Sequence, residues 1–197
     1  MISNYEDAIE KITLSENTIK NRIKEMGEEI RKDYKDKDLF LMSVLKGSVV
    51  FLADITRAID IPLEFGFVTI STYCGTTSPK VEPRVSVNSL PDLKGRDVLL
   101  VEDILDTGRT IKCTKSWVEE QKPNSVKVCA FVAKEGYEKC EYPNPDYIGF
   151  VISNEFVVGY GLDYQEKFRN LPYVGILKPW VYEMEEKDLT NERTGTK

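Results

Sequence analysis

Apolar positions recur along the chain in two rhythms, one helical and one of short strand-length runs. Between residues 5 and 34, Ile9, Ile12, Ile19, Ile23, Met26 and Ile30 fall at roughly helical spacing, interrupted near Thr13-Leu14-Ser15. This predicts two helices, with Ser15 and Thr18 at the start of the second. Asp36-Lys37-Asp38 reads as a turn, and Leu39 to Leu45 as a strand ended by Lys46-Gly47-Ser48. A helix is predicted over Val49 to Ile59, then a strand from Pro62 through Phe65, Phe67, Val68 and Ile70. The unbroken aliphatic run Val98 to Val101 has the mark of a strand buried on both faces. A helix from about Thr107 to Gln121 stops before Pro123, and Val126 to Ala133 forms a strand with Lys134 at its C-terminal end. Short apolar runs follow at Tyr147 to Ile152, Phe156 to Val158 and Val174 to Leu177. Strands alternating with helices indicate an α/β fold around a parallel sheet.

The rhythm fails in two places. From Ser71 to Pro91 the chain is polar and turn-rich, with only Val85 and Val87 hinting at a short ribbon. An excursion of that length is a functional flap or a disordered loop. The tail from Glu183 to Lys197 is charged, which predicts a frayed end. With 197 residues, no repeat and no linker, the expectation is one domain over 1–197.

Composition narrows the chemistry. The 41% hydrophobic and 30% charged residues are those of a soluble globular protein. The first residues are acidic and lack a hydrophobic signal core, and no apolar run is long enough to span a membrane, so the expected location is the cytoplasm. Cys74, Cys113, Cys129 and Cys140 show neither CxxC spacing nor the density of a disulfide framework. There is no histidine, which excludes Ser-His-Asp and Cys-His nucleophilic catalysis and His-ligated zinc. A net charge of −6 argues against nucleic-acid binding.

The stretch VLLVEDILDTGRT (98–110) concentrates the chemistry. A buried strand runs into two adjacent acids, Glu102 and Asp103, then into the small, hydroxylated loop Asp106-Thr107-Gly108-Arg109-Thr110 at a helix start. Free backbone N–H groups and the positive end of the helix make such a loop a phosphate cradle, with Thr107 and Thr110 as added donors. On an acidic protein a phosphate site calls for a divalent cation, and Glu102, Asp103 and Asp163 are oxygen donors suited to Mg²⁺. In open parallel sheets ligands sit beyond the carboxyl ends of the strands. Lys46, the 71–81 stretch, the 102–110 cradle, Lys134 and the Asp163 to Arg169 region all fall there. Singly, each has a plainer reading: helix cap, surface lysine, or, for Phe156, core aromatic.

Together these residues resemble a known family. VEDILDTGRT is similar to the phosphoribosyl pyrophosphate signature of type I phosphoribosyltransferases. Leu45-Lys46-Gly47, Thr72-Tyr73, Lys134 and FVVGYGLDYQEKFRNLP (156–172) narrow the resemblance to the hypoxanthine-guanine phosphoribosyltransferases of purine salvage, over about residues 10 to 180. The resemblance implies a central, mostly parallel sheet flanked by helices, with a small hood and a mobile flap over about 71–91. It implies Mg²⁺ as cofactor, phosphoribosyl pyrophosphate and 6-oxopurine bases as substrates, and a homodimer or homotetramer. Leu45-Lys46-Gly47 would be the pyrophosphate loop, with the Leu–Lys peptide cis, and Arg169 would also reach pyrophosphate. Glu102 and Asp103 would hold the ribose hydroxyls and Mg²⁺, while Asp163 would bind a second Mg²⁺. Asp106 would exchange the proton at purine N7, and Asp106, Thr107, Gly108, Arg109 and Thr110 would wrap the 5′-phosphate. Lys134 would donate to the exocyclic O6, Phe156 would stack on the base and Val157 would offer backbone contacts to its edge. Thr72-Tyr73 would close over the reacting centre. The flap carries Pro79 and Pro83 where the family more often has a Ser-Gly stretch, and Thr72 stands where Ser is frequent.

Alternatives are a xanthine-guanine-preferring enzyme and a non-catalytic regulator that senses phosphoribosyl pyrophosphate or binds RNA. The net charge and the retention of both Asp106 and Lys46 weigh against the regulator. A receiver-like signalling domain would not need Phe156 to Arg169.

Overall fold

A computed structural model describes residues 5–71, 84–87 and 89–181 of the chain. In chain order its elements are α1 (Tyr5–Ala8), β1 (Ile9–Leu14), α2 (Glu16–Tyr34), β2 (Leu39–Leu45), α3 (Val49–Ile59), β3 (Glu64–Ser71), β4 (Arg84–Ser86), β5 (Asp97–Leu105), α4 (Arg109–Glu120), β6 (Ser125–Lys134), β7 (Tyr147–Ile152), β8 (Val157–Val158) and β9 (Val174–Leu177). A six-stranded sheet has the order β4-β3-β2-β5-β6-β7, parallel except for the antiparallel β3–β4 pair. The β3–β4 pair places Arg84–Ser86 as the ribbon that Val85 hinted at. A second, three-stranded antiparallel sheet, β1-β9-β8, forms the expected hood.

The central strands are apolar throughout because both faces are covered. Along β2, Leu39 and Leu41 join the core under α2 and α3, whereas Phe40, Met42 and Val44 join the core under α4. In β5, Leu99 and Val101 point to the first and Val98 and Leu100 to the second. The helices on the first face approach closely at Gly27, where an added Cβ would lie 2.5 Å from the Ala58 backbone. At the start of α2 the Ser15 hydroxyl accepts the Thr18 N–H at 3.2 Å, as expected.

Two expectations change. Ile9 and Ile12 do not begin a helix; they lie in β1, paired with β9 through irregular register between Ile9 and Lys11 and between Ile12 and Leu14. These bulges break strict alternation, so Ile9 and Leu14 are buried and Ile12 is exposed, and the residual spacing imitates a helix. Glu102 and Asp103 do not follow the central strand but lie within it, because Glu102, Ile104 and Leu105 keep pairing with Ala130, Val132 and Ala133 of β6. Accordingly α4 begins at Arg109 rather than Thr107.

Arg22 of α2 donates to the β7 carbonyls of Ile148 at 2.9 Å and Gly149 at 3.1 Å. At the opposite edge from the strand C-termini, Arg96 ties three strand starts together. Its guanidinium reaches Asp38 at 2.7 Å and Glu64 at 3.1 Å and lies 5.2 Å from the Phe40 ring. Thr72, Tyr73, Cys74, Pro79, Pro83 and residues 183–197 lie outside the described residues. Among the described residues no helix is long and apolar enough to cross a membrane, and Cys113, Cys129 and Cys140 form no disulfide.

Replacing Arg96 with Ala should lower stability by about 2 kcal/mol, read from urea unfolding midpoints, since it leaves two carboxylates without their shared cation. A loss under about 0.5 kcal/mol, the usual surface value, would show that the clamp contributes little.

Candidate active site

The C-terminal ends of β2, β5 and β6 deliver Lys46-Gly47, Asp106 and Lys134 to one edge of the sheet. The turn after β2 is held from below by a buried hydroxyl pair, Ser43 and Ser48, 2.6 Å apart, with Ser48 also donating to the Val44 carbonyl. The Leu45–Lys46 peptide is cis, as the resemblance implied. Two glycines let loops stack on this turn. A Cβ on Gly47 would fall 1.6 Å from an Asp103 carboxylate oxygen, and one on Gly161 would fall 2.1 Å from the Gly47 carbonyl.

Glu102 is buried, and its Oε2 has no hydrogen-bond partner. Burial and the neighbouring Asp103 push its carboxyl well above the usual carboxylate range. Asp103 is pushed up to about 6 by burial, against the opposing pull of the Ile104 N–H, which it accepts at 3.0 Å, and of Arg169. Asp163 adds its negative charge to the same field. Among the described residues the site thus holds two adjacent carboxylates for which burial outweighs the pull of Arg169.

After β5, the loop Asp106-Thr107-Gly108 leads into α4 with Gly108 as N-cap at φ 73°, and no side chain caps the helix. Its first N–H groups therefore remain available to an anion. Gly108 is pressed beneath the 140–142 segment: a Cβ there would lie 2.6 Å from the Tyr142 nitrogen. The Arg109 side chain turns to Glu141 at 2.8 Å, and Lys112 meets the other Glu141 oxygen at 3.1 Å. Arg109 thus faces the cradle with its backbone. A cavity of about 340 Å³ opens beside the loop, lined among others by Asp106, Thr107, Lys134, Tyr137, Glu141 and Asn154.

Lys134 donates to the Ser153 carbonyl at 3.2 Å and to the Glu155 carbonyl. Burial pulls its ammonium down from the ordinary lysine value, opposed by Asp106 and Glu155. Phe156 is 45% exposed, its ring edge-on to Tyr164 at 5.7 Å. Leu177 donates to the Phe156 carbonyl at 2.9 Å. By the alternation of antiparallel pairing, the N–H and C=O of the next residue, Val157, turn toward the open edge of β8.

Asp163 and Arg169 bond to each other at 2.9 Å, and Arg169 donates to the Gly161 carbonyl at 2.8 Å. Glu166 is bound by both Lys46, at 3.1 Å, and Arg169, at 3.3 Å. Lys46, Gly47, Asp103, Asp163 and Arg169 are thus brought together, as are Asp106, Thr107 and Lys134. Glu102, Asp103 and Asp163 do not gather into one three-ligand metal cluster. Sequence reasoning missed Glu166, Glu141 and the Ser43–Ser48 pair. The small hydroxyls flanking Val44 to Gly47 were the signal for the pair; nothing local marks the two glutamates.

The family model of the phosphoribosyl transferase domain matches residues 13–165. A hypoxanthine-guanine phosphoribosyltransferase of Lactococcus lactis subsp. lactis is 47% identical over 179 residues, covering 91% of this chain and 97% of that protein. One of Streptococcus pyogenes serotype M3 is 43% identical over 178 residues, covering 90% and 98%. Among solved structures, a hypoxanthine phosphoribosyltransferase of Staphylococcus aureus aligns with a TM-score of 0.84 at 37% identity, covering 92% of this chain and 100% of that one.

Glu102→Gln should raise stability at pH 7 by about 1–2 kcal/mol, because folding no longer has to hold protonated a carboxyl that ionises freely in the unfolded chain. For an acid raised in the folded state the advantage vanishes below pH about 4 and grows as pH rises through the ordinary carboxylate range. Urea unfolding at pH 4 and pH 7 reads both limbs; equal midpoints at pH 7 would contradict the account.

Proposed function

The chain belongs to the phosphoribosyl transferase family, and we propose that it acts as a single-domain enzyme of purine salvage. It moves the 5-phosphoribosyl group of phosphoribosyl pyrophosphate to N9 of hypoxanthine or guanine, giving IMP or GMP and pyrophosphate. The observation that carries this reading is that Lys134 and Asp106 share one cavity beside an uncapped helix start. A phosphate cradle thereby adjoins a donor and an acid placed for a base. The names of the relatives at 43% and 47% identity support the same substrates.

The backbone of Thr107 to Thr110, with the two threonine hydroxyls, takes the 5′-phosphate. Phe156 offers its exposed face to the purine, and Val157 offers its backbone to the base edge. Lys134 donates to O6; it has no acceptor for a 6-amino group, so adenine is rejected. Asp106 accepts the N7 proton as N9 bonds to the ribose carbon and pyrophosphate leaves, and gives it back only in the reverse reaction. Lys46, Gly47 and Arg169 receive pyrophosphate as negative charge builds on it, and Thr72 and Tyr73 close over the centre and exclude water. The donor set fits Mg²⁺: Glu102 presents a buried oxygen with no partner beside Asp103, and no all-protein cage of three carboxylates forms among the described residues. Mg²⁺ is usually held by one or two carboxylates together with substrate phosphates. Glu102 and Asp103 would hold one ion and Asp163 a second, and bound Mg²⁺ would neutralise charge on the leaving group. We read the protein as a cytoplasmic homodimer or homotetramer.

Purified protein assayed with Mg²⁺ and phosphoribosyl pyrophosphate should turn over hypoxanthine and guanine and leave adenine. Xanthine as the best substrate would move the assignment to a xanthine-guanine enzyme, and binding of the donor without turnover of any base would make the protein a sensor. Asp106→Asn should lower kcat by about 10²-fold or more with the donor still bound, and unchanged turnover would remove Asp106 from the mechanism. Lys134→Ala should raise KM for 6-oxopurines and not for the donor; an unaltered base preference would contradict its role.

A further inference from the structure

Glu166 has no place in the reaction as derived so far, yet it occupies the position the leaving group needs. One of its oxygens, Oε2, meets both Lys46 Nζ at 3.1 Å and Arg169 Nη2 at 3.3 Å. These cations come from opposite parts of the chain. The turn that presents it is closed by bridging between Tyr164 and Lys167. Gln165 at φ 51° and Glu166 at φ 63° are both left-handed without being glycine, a conformation L-residues adopt uncommonly. The Glu166 N–H donates to Asp163 Oδ2 at 2.9 Å, which pins the turn to the carboxylate that also holds Arg169.

We propose that Glu166 is the internal counter-anion of the pyrophosphate site and sets how tightly pyrophosphate is held and how readily it leaves. The inference rests on the reading that Lys46 and Arg169 receive pyrophosphate. Pyrophosphate that takes the donors of Lys46 and Arg169 now directed at Glu166 Oε2 displaces the carboxylate on arrival, and the carboxylate returns as pyrophosphate departs. Lys46 and Glu166 are both largely exposed, 68% and 62%. Exposed pairs are individually weak, which suits an anion that must be displaced in every turnover. Arg169 keeps Gly161 and Asp163 as partners when Glu166 swings away.

The test measures binding of inorganic pyrophosphate with Mg²⁺ to the wild type, E166Q, E166A and E166D by calorimetry, with IMP as control. E166Q and E166A should bind pyrophosphate about three- to tenfold more tightly and release it more slowly, the scale expected when a weak ion pair no longer competes. E166D should stay near the wild type, and IMP affinity should not change. Unchanged or weaker pyrophosphate binding in E166Q and E166A with IMP binding intact would overturn the proposal, as would a wild type that binds no pyrophosphate. No purine base enters this measurement. Failure of 6-oxopurine turnover would therefore count against the proposed activity and leave the comparison readable.

Discussion

Two adjacent carboxylates near the end of a buried central strand, driven by burial away from their charged forms, set the terms for the surrounding structure. Glu102 and Asp103 are carried into the interior because β5 keeps pairing with β6 beyond its apolar run. Their desolvation disfavours charge, so the fold must be held together elsewhere: by the two cores on either face of the sheet and by Arg96 at its far edge. The two close-packed glycines follow from the same need. Gly47 brings a backbone turn against Asp103, and Gly161 brings the hood loop against Gly47. A side chain at either would separate the loops from the acids they serve. The buried acids are thus under electrostatic tension, which a ligand bringing positive charge would relieve.

The electrostatic balance explains how a chain of net charge −6 suits a substrate rich in phosphate. Among the described residues, several cations at the site already face a carboxylate: Arg109 and Lys112 face Glu141, Lys46 faces Glu166, and Arg169 faces Asp163 and Glu166. The site is not an open basic patch that would attract any polyanion. Entry of a phosphate exchanges one anion for another, which favours ligands that also satisfy the cradle and the metal.

Much of the architecture was legible because burial on both faces writes itself as continuous apolar runs; β2 and α3 fall where the pattern placed them. β1 was not legible, since its bulges remove the period of two on which strand recognition depends. The extension of β5 through Glu102 and Asp103 was hidden for another reason: a charged pair ends a strand on local grounds, and only pairing with β6 keeps it going. At the site, the cradle, Lys46 and Lys134 could be picked out as polar residues at strand ends. Their roles came from resemblance, and the proposed tests address those roles. Glu166 pairs with Lys46 across 120 positions through a left-handed turn, which no local rule detects.

The fork of Arg22 has a consequence beyond joining a helix to a strand. β7 is the outermost strand on its side, and a bare outer strand invites another chain to add to the sheet. With Ile148 and Gly149 already accepting from Arg22, part of that border is already occupied. The opposite border is β4, only three residues long. Short or partly occupied outer strands offer little template for backbone zippering, the route by which exposed sheet edges grow into open-ended fibres.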